Sequence, residues 1–104
     1  MTFMTAEWKQ IPLDVEILLT HTPPFGVQDV TKRGKRAGCT ELAAKVETLH
    51  CCRLHIFGHI HEAFGAHVKM PNVTDETSTV GLVSINAALP DSEVPIIVDI
   101  RKEV

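Results

Sequence analysis

The feature that most constrains the fold is a short apolar run that stops at a glycine and is followed by two histidines. Residues 53–65 read RLHIFGHIHEAFG, so that Gly58 ends the run and His59 and His61 come next. This pattern predicts a buried strand with the histidines in the loop at its carboxyl end, where side chains of an open α/β sheet converge. Because neutral imidazole is the commonest metal ligand, the pair indicates a metal site, although an isolated His-x-His also occurs on strand faces and in surface turns.

A second apolar run, Val15–Thr20, ends in a similar way. It is nearly continuous in apolar residues, which predicts a strand that is covered on both faces. His21 follows, and Pro23 and Pro24 then lead the chain out of the sheet, since each proline fixes its φ angle and lacks an N–H donor. We therefore expect His21 at the rim of the sheet, either as a metal ligand or satisfied by a backbone carbonyl.

The two runs are separated by a helical pattern. Apolar side chains at positions 42, 46 and 49 recur at i, i+4 and i+7, and Thr40 is the expected N-cap of a helix over residues 41–50. Strand, helix and strand make a βαβ unit with parallel strands, which end at the same edge of the sheet. That placement predicts one metal site from His21, His59 and His61.

The rest of the chain changes to short segments separated by turn residues. Segments 66–70, 80–89 and 94–100 are predicted as antiparallel strands, which makes the fold class α/β, a βαβ unit followed by antiparallel strands in a single domain. Asn86 is a candidate to point its amide at the same rim, although a turn-forming asparagine fits equally well. The other histidines are assigned to packing or to the surface: His50, His55 and His67.

Composition and charge exclude several classes of function. The 104 residues carry a formal net charge of −3, which predicts neither a nucleic-acid partner nor a membrane partner. The apolar runs are far shorter than a bilayer span of about 20 residues, and three cysteines that include two neighbours make a disulfide framework improbable, so we expect a cytoplasmic protein. Arg33 and Arg36 lie in a basic loop, residues 27–38, that either binds phosphate or is simply solvated.

The histidine-bearing segments resemble the calcineurin-like metallophosphoesterase superfamily, in the branch of the metallophosphoesterase-domain-containing proteins. The matching stretches are residues 20–24 (THTPP), 55–62 (HIFGHIHE), 84–87 (SINA) and 95–99 (PIIVD). The resemblance implies the C-terminal part of a β-sandwich flanked by helices, and a hydrolase that cleaves phosphodiester-type, nucleotide-like substrates with two divalent cations, manganese, iron or zinc. It also implies that His21 and His59 ligate one cation and that His61 ligates the other.

The sequence departs from that family in one large respect. The Asp-x-His, Gly-Asp and Gly-Asn-His motifs, which supply the carboxylate ligands and the general acid, do not occur in these residues. Imidazoles without a bridging carboxylate can hold one cation but cannot neutralise or space two. We therefore expect a partial domain over residues 1–104 that holds no catalytic residue of its own and is completed by an N-terminal half or by self-association. The alternatives are a non-catalytic interaction or regulatory fragment with vestigial metal binding, and a protein that binds one metal through its three histidines.

Overall fold

The computed structural model describes residues 8–73, 78–79, 81–90 and 93–100, and in this part of the chain the architecture is α/β. A mixed four-stranded sheet carries one complete α-helix, and a separate two-stranded ribbon follows the third strand. The elements in chain order are β1 (Ile17–Leu19), α1 (Thr40–Glu47), β2 (Leu54–Phe57), a 3-10 helix (His61–Ala63), β3 (Gly65–Lys69), β4 (Asn72–Val73), β5 (Ser78–Thr79) and β6 (Leu82–Asn86).

The predicted βαβ unit is confirmed. Strands β1 and β2 are parallel neighbours, with Ile17 opposite Leu54 and Leu19 opposite Ile56. The backbone N–H of Thr20, just beyond β1, continues the pairing by donating to the carbonyl of Ile56 at 3.0 Å. Both strands therefore end at one edge of the sheet, as the sequence predicts.

The prediction of antiparallel strands after the βαβ unit is only partly confirmed. The sheet order is β1-β2-β6-β3; β3 and β6 are antiparallel, but β6 also pairs in parallel with β2. The predicted start of this last strand, Val80, lies outside the described residues. Segment 94–100 forms no strand, so that prediction is wrong: β6 already has neighbours on both sides, and Pro95, Ile96 and Val98 lie against a face of the sheet.

The helix α1 differs from its prediction at both ends. Its N-cap is Cys39 rather than Thr40, because the Cys39 sulfur accepts a hydrogen bond from the backbone N–H of Leu42 at 3.4 Å. The helix ends at Glu47 instead of residue 50. At this end the hydroxyl of Thr48 donates to the carbonyl of Lys45 at 2.6 Å. One helical face is nevertheless directed at the core as predicted, since Leu42 is fully buried.

The two faces of the sheet are covered unequally. On one face Leu18 is buried in a cluster with Leu49 and Cys52. On the opposite face Ile17 and Leu19 are 47% and 70% exposed, so the prediction that β1 is covered on both faces is wrong. Among the described residues, no helix is both long enough and apolar enough to cross a bilayer.

Candidate functional site

The loops after β1 and β2 bring His21 and His59 together. Their ring centroids are 4.9 Å apart and their planes are inclined at 52°. The backbone fixes this approach, because the N–H of Gly58 donates to the carbonyl of His21 at 3.0 Å. Both side chains are exposed at the rim of the sheet, and two imidazoles at this separation can bind a shared cation.

His59 holds an uncommon backbone conformation. Its φ angle is +71°, in the left-handed region where a residue with a Cβ is strained. A hydrogen bond of 2.8 Å from the N–H of Ile60 to the carbonyl of Gly58 closes the turn around it. Strain of this kind collects at functional sites when the surrounding structure imposes it, and here it presents the imidazole beside His21.

The structure does not place His61 in a three-ligand cluster. This residue begins the 3-10 helix and its side chain is exposed. Across the described ranges, no group of three or more His, Cys, Asp or Glu side chains is placed to hold a metal ion. The donor set that the structure brings together is therefore the pair His21 and His59, which supplies half of a tetrahedral ligand set.

Asn86 lies at the end of β6, beside the site, and its amide forms hydrogen bonds with backbone groups of the protein. The side chain is fully buried, and its Nδ2 donates to the carbonyls of Gln28 at 3.0 Å and Ile60 at 2.9 Å. Its Oδ1 accepts from the backbone N–H of Ala88 at 3.0 Å. The amide therefore supports the loop that carries the histidines, because Ile60 lies between His59 and His61.

The basic loop is organised around Asp29, which the sequence analysis did not single out. This carboxylate is fully buried and accepts hydrogen bonds from the backbone N–H groups of Gly26 and Gly38 at 2.9 and 3.0 Å. Arg36 completes the set with a contact of 2.8 Å to Oδ1. The signal was available in the sequence, since Asp29 is the only acid in a loop that holds four basic residues.

Of the two predicted phosphate-binding arginines, Arg36 lines a cleft. The cleft has a volume of about 510 Å³ and separates the basic loop from the segment that follows His61. Its polar side chains include Lys32, Arg36 and Glu62, whereas Arg33 lies outside it and is exposed. Backbone hydrogen bonds, from Glu62 itself and then from Lys32, lower the pKa of the Glu62 carboxyl.

His55 is fully buried in β2, which confirms its assignment to packing. It also makes a polar contact that the sequence did not predict, with Nε2 at 2.9 Å from the hydroxyl of Thr20. Desolvation lowers the pKa of His55 to about 4, so the ring is neutral at physiological pH. A histidine inside an otherwise apolar strand, two positions before Phe57, was the available signal.

The chain is similar to proteins whose names point to one family. It is 50% identical over 60 residues to the human Metallophosphoesterase domain-containing protein 1, which covers 57% of this chain and 18% of that relative. It is 38% identical over 103 residues to the Caenorhabditis elegans UPF0046 protein C25E10.12, covering 90% of this chain and 33% of the relative. A further C. elegans relative, UPF0046 protein T07D4.2, is 48% identical over 59 residues, or 57% of this chain and 15% of that protein. No protein-family profile matches the chain.

The chain thus combines two findings: an α/β sheet that carries a histidine pair at its carboxyl edge, and sequence similarity to a metallophosphoesterase-domain protein. The chain is related to the metallophosphoesterase family. It spans a third or less of the length of these curated relatives.

Proposed function

We propose that this chain is the C-terminal part of a metal-dependent phosphoesterase domain and supplies the imidazole ligands of a dinuclear centre. The observation that carries the proposal is the approach of His21 to His59, with ring centroids 4.9 Å apart at the carboxyl edge of parallel strands. The name of the human relative implies dependence on divalent metal in that family. In the proposed arrangement His21 and His59 bind one cation and His61 binds the other.

The donor chemistry fits the imidazole half of such a centre and not its carboxylate half. Two divalent cations, once bound, stabilise the charge on the attacking and leaving oxygens of a phosphodiester. Mixed imidazole and carboxylate ligands suit manganese, iron or zinc better than calcium. The described residues place two imidazoles together and add no carboxylate to them, so the remaining ligands are proposed to come from a complementing N-terminal half.

One face of the sheet is only partly covered, which supports the need for a second polypeptide part. A groove of about 330 Å³ lies between Ile56 and Ile85 on this face and the segment 95–98, and it is lined mainly by aliphatic side chains. Leu19 in β1 and Val68 in β3 lie on the same face and are 70% and 59% exposed. An apolar surface of this kind is stabilised by further sheet or by self-association, either of which covers the face.

The substrate is proposed to be a phosphodiester, nucleotide-like in size, whose phosphate is held in part by the basic loop. Arg36 is the stronger contributor, because Asp29 fixes one of its terminal nitrogens and 47% of the side chain stays exposed beside the cleft. Arg33 contributes at longer range from the outside of the loop. We place this activity in the cytoplasm, where the free thiols of the three cysteines are stable.

A second candidate function is an interaction or regulatory fragment with vestigial metal binding. It is favoured by one observation, that the described ranges contain no three-ligand cluster. The two functions differ in what a divalent cation does to the chain. A ligand-bearing part of an enzyme binds the cation through His21 and His59, whereas a fragment that has lost the role binds it no better than an isolated surface histidine does.

The test is a titration of the full chain with Mn²⁺ and with Zn²⁺, for the wild type and for His59→Ala. Isothermal calorimetry measures the affinity in each titration. His50→Ala is the matched control, because His50 is exposed and lies near Lys69 and Leu82, at the opposite edge of the sheet from the histidine pair. We expect His59→Ala to weaken binding at least tenfold and His50→Ala to leave it unchanged. Equal affinities in the two variants would contradict the proposal and favour the regulatory fragment.

Turnover is measured separately with an aryl phosphodiester in the presence of Mn²⁺. The chain alone is expected to bind metal and to show no hydrolysis above the His59→Ala background, because the carboxylate ligands are missing. Hydrolysis that His59→Ala abolishes would show that the chain is competent by itself. That result would overturn the proposed need for a complementing half while keeping the metal role of His59.

A further inference from the structure

The imidazole of His55 is buried in the sheet and only one of its nitrogens has a partner. Nε2 lies 2.9 Å from the hydroxyl oxygen of Thr20, the residue just beyond the neighbouring strand β1. Nδ1 is buried and has no hydrogen-bond partner. A buried polar atom without a partner destabilises the folded state, so packing alone is a poor reason for histidine at this position.

The direction of the protons in this contact follows from the partners of Thr20. Its hydroxyl lies 2.9 Å from the carbonyl oxygen of Thr22, which can only accept. The single hydroxyl proton is given to that carbonyl, and the hydroxyl oxygen must then accept from Nε2–H of His55. The opposite arrangement would leave a buried Nδ1–H donor without an acceptor, which is rarer than an unpaired acceptor. The geometry therefore selects the Nε2–H tautomer.

The two hydrogen bonds form a relay from His55 through the Thr20 hydroxyl to the carbonyl of Thr22. The relay ends on the turn that carries His21. The hydroxyl of Thr20 bridges to the carbonyl of Thr22, so the bond spans His21 and restricts its backbone. The backbone N–H of Thr20 is fixed by Ile56, and the carbonyl of His21 is fixed by Gly58. The side-chain bridge depends on the hydroxyl of Thr20, whereas these two backbone hydrogen bonds do not depend on the identity of a side chain.

We propose that His55 and Thr20 are positioning residues: the Nε2–H of His55 orients the Thr20 hydroxyl, which closes the turn and directs the His21 imidazole toward His59. The inference rests on the proposed function, because its consequence is metal affinity at His21 and His59. Neither residue touches the cation. Outer contacts that orient a ligand commonly change metal affinity by about 10- to 100-fold, and a contact through the backbone is expected near the lower end.

The first test determines the tautomer of His55 in the metal-free chain. Long-range proton–nitrogen NMR of the ¹⁵N-labelled chain reports which ring nitrogen of His55 carries the proton. We expect Nε2–H in the wild type and in Thr20→Ser, which keeps the hydroxyl. Thr20→Val replaces the hydroxyl with a methyl group of similar size and should change the Nε2 resonance. An Nδ1–H tautomer in the wild type would overturn the proposal.

The second test measures Zn²⁺ affinity by calorimetry in matched pairs of variants. Thr20→Val and His55→Leu remove the relay and are expected to weaken binding about tenfold. Thr20→Ser and His55→Gln keep a hydroxyl or a side-chain N–H near the original atom, and are expected to stay within about threefold of wild type. Because the residues act in series, the double variant Thr20→Val/His55→Leu should lose no more than either single change.

The outcomes separate this inference from the proposed function. If His21→Ala leaves Zn²⁺ affinity unchanged, the proposed function fails. If His21→Ala abolishes binding while Thr20→Val binds as tightly as wild type, the metal role stands and the relay is refuted. Thermal unfolding of each variant is recorded beside the titration; should His55→Leu not fold, the comparison of Thr20→Val with Thr20→Ser decides the question.

Discussion

The side-chain amide of Asn86 donates a hydrogen bond of 2.9 Å to the backbone carbonyl of Ile60. Ile60 separates His59 from His61, so the end of β6 holds the loop that bears both histidines. The same amide donates to the carbonyl of Gln28 at 3.0 Å and thereby reaches the basic loop. One buried side chain thus joins two loops at the carboxyl edge of the sheet.

Asn86→Ala is expected to lower the free energy of unfolding by about 2–4 kcal/mol, because it leaves two carbonyls and the N–H of Ala88 without their partner. Urea denaturation followed by circular dichroism gives the value. Ala87→Ser, at an exposed neighbour, is the control and should change stability by less than about 0.5 kcal/mol. A similar small effect for both variants would show that the amide is not structural.

Asp29→Asn is expected to destabilise the chain by about 2–3 kcal/mol. The carboxylate accepts from the two glycine N–H groups on one oxygen and from Arg36 on the other, whereas an amide must turn its NH₂ toward one of these donors. Hydrogen exchange at the amides of Gly26 and Gly38 should accelerate. Arg33→Gln, on the outside of the same loop, should leave both the stability and the exchange rates unchanged.

His59→Gly is expected to be more stable than His59→Ala by about 1 kcal/mol, because both lack the imidazole and only alanine keeps the strain of a left-handed φ angle. Thermal or urea unfolding of the two variants measures the difference. The same pair at His61 serves as control. There alanine should be the more stable of the two, since His61 lies in a helical turn without a positive φ angle. The same order at both positions would contradict strain at His59.

Stability should fall as the pH drops below the ordinary titration range of histidine. Burial lowers the pKa of His55 from 6.5 to about 4, so between these values the unfolded chain binds a proton that the folded chain does not. Stability attributable to His55 is therefore complete above about pH 6.5 and decreases as the pH falls, by about 2 kcal/mol between pH 7.5 and pH 5. Urea midpoints across this range for wild type and His55→Leu measure it. If the two chains show parallel pH profiles, His55 titrates normally and the prediction fails.

The sequence was sufficient to predict secondary structure where a pattern is local and repeated. The apolar run before Pro23-Pro24 marked β1, the run that ends at Gly58 marked β2, and the i, i+4, i+7 spacing marked α1. Parallel pairing followed from the crossover rule, because a strand, helix and strand of this length close in only one favoured way. That rule placed His21 beside His59, and the centroid distance of 4.9 Å agrees with it.

The choice of partners across the sheet was decided only in three dimensions. Nothing in the local pattern of residues 82–86 shows that β6 inserts between β2 and β3, because the same alternation suits a parallel or an antiparallel neighbour. The polar partners of Asn86 and His55 depend on which strands and loops are adjacent, and so they could not be predicted from spacing. Sequence therefore determined the elements and their chemical groups, whereas the tertiary structure determined which buried groups hydrogen-bond each other, since those bonds join residues up to 58 positions apart.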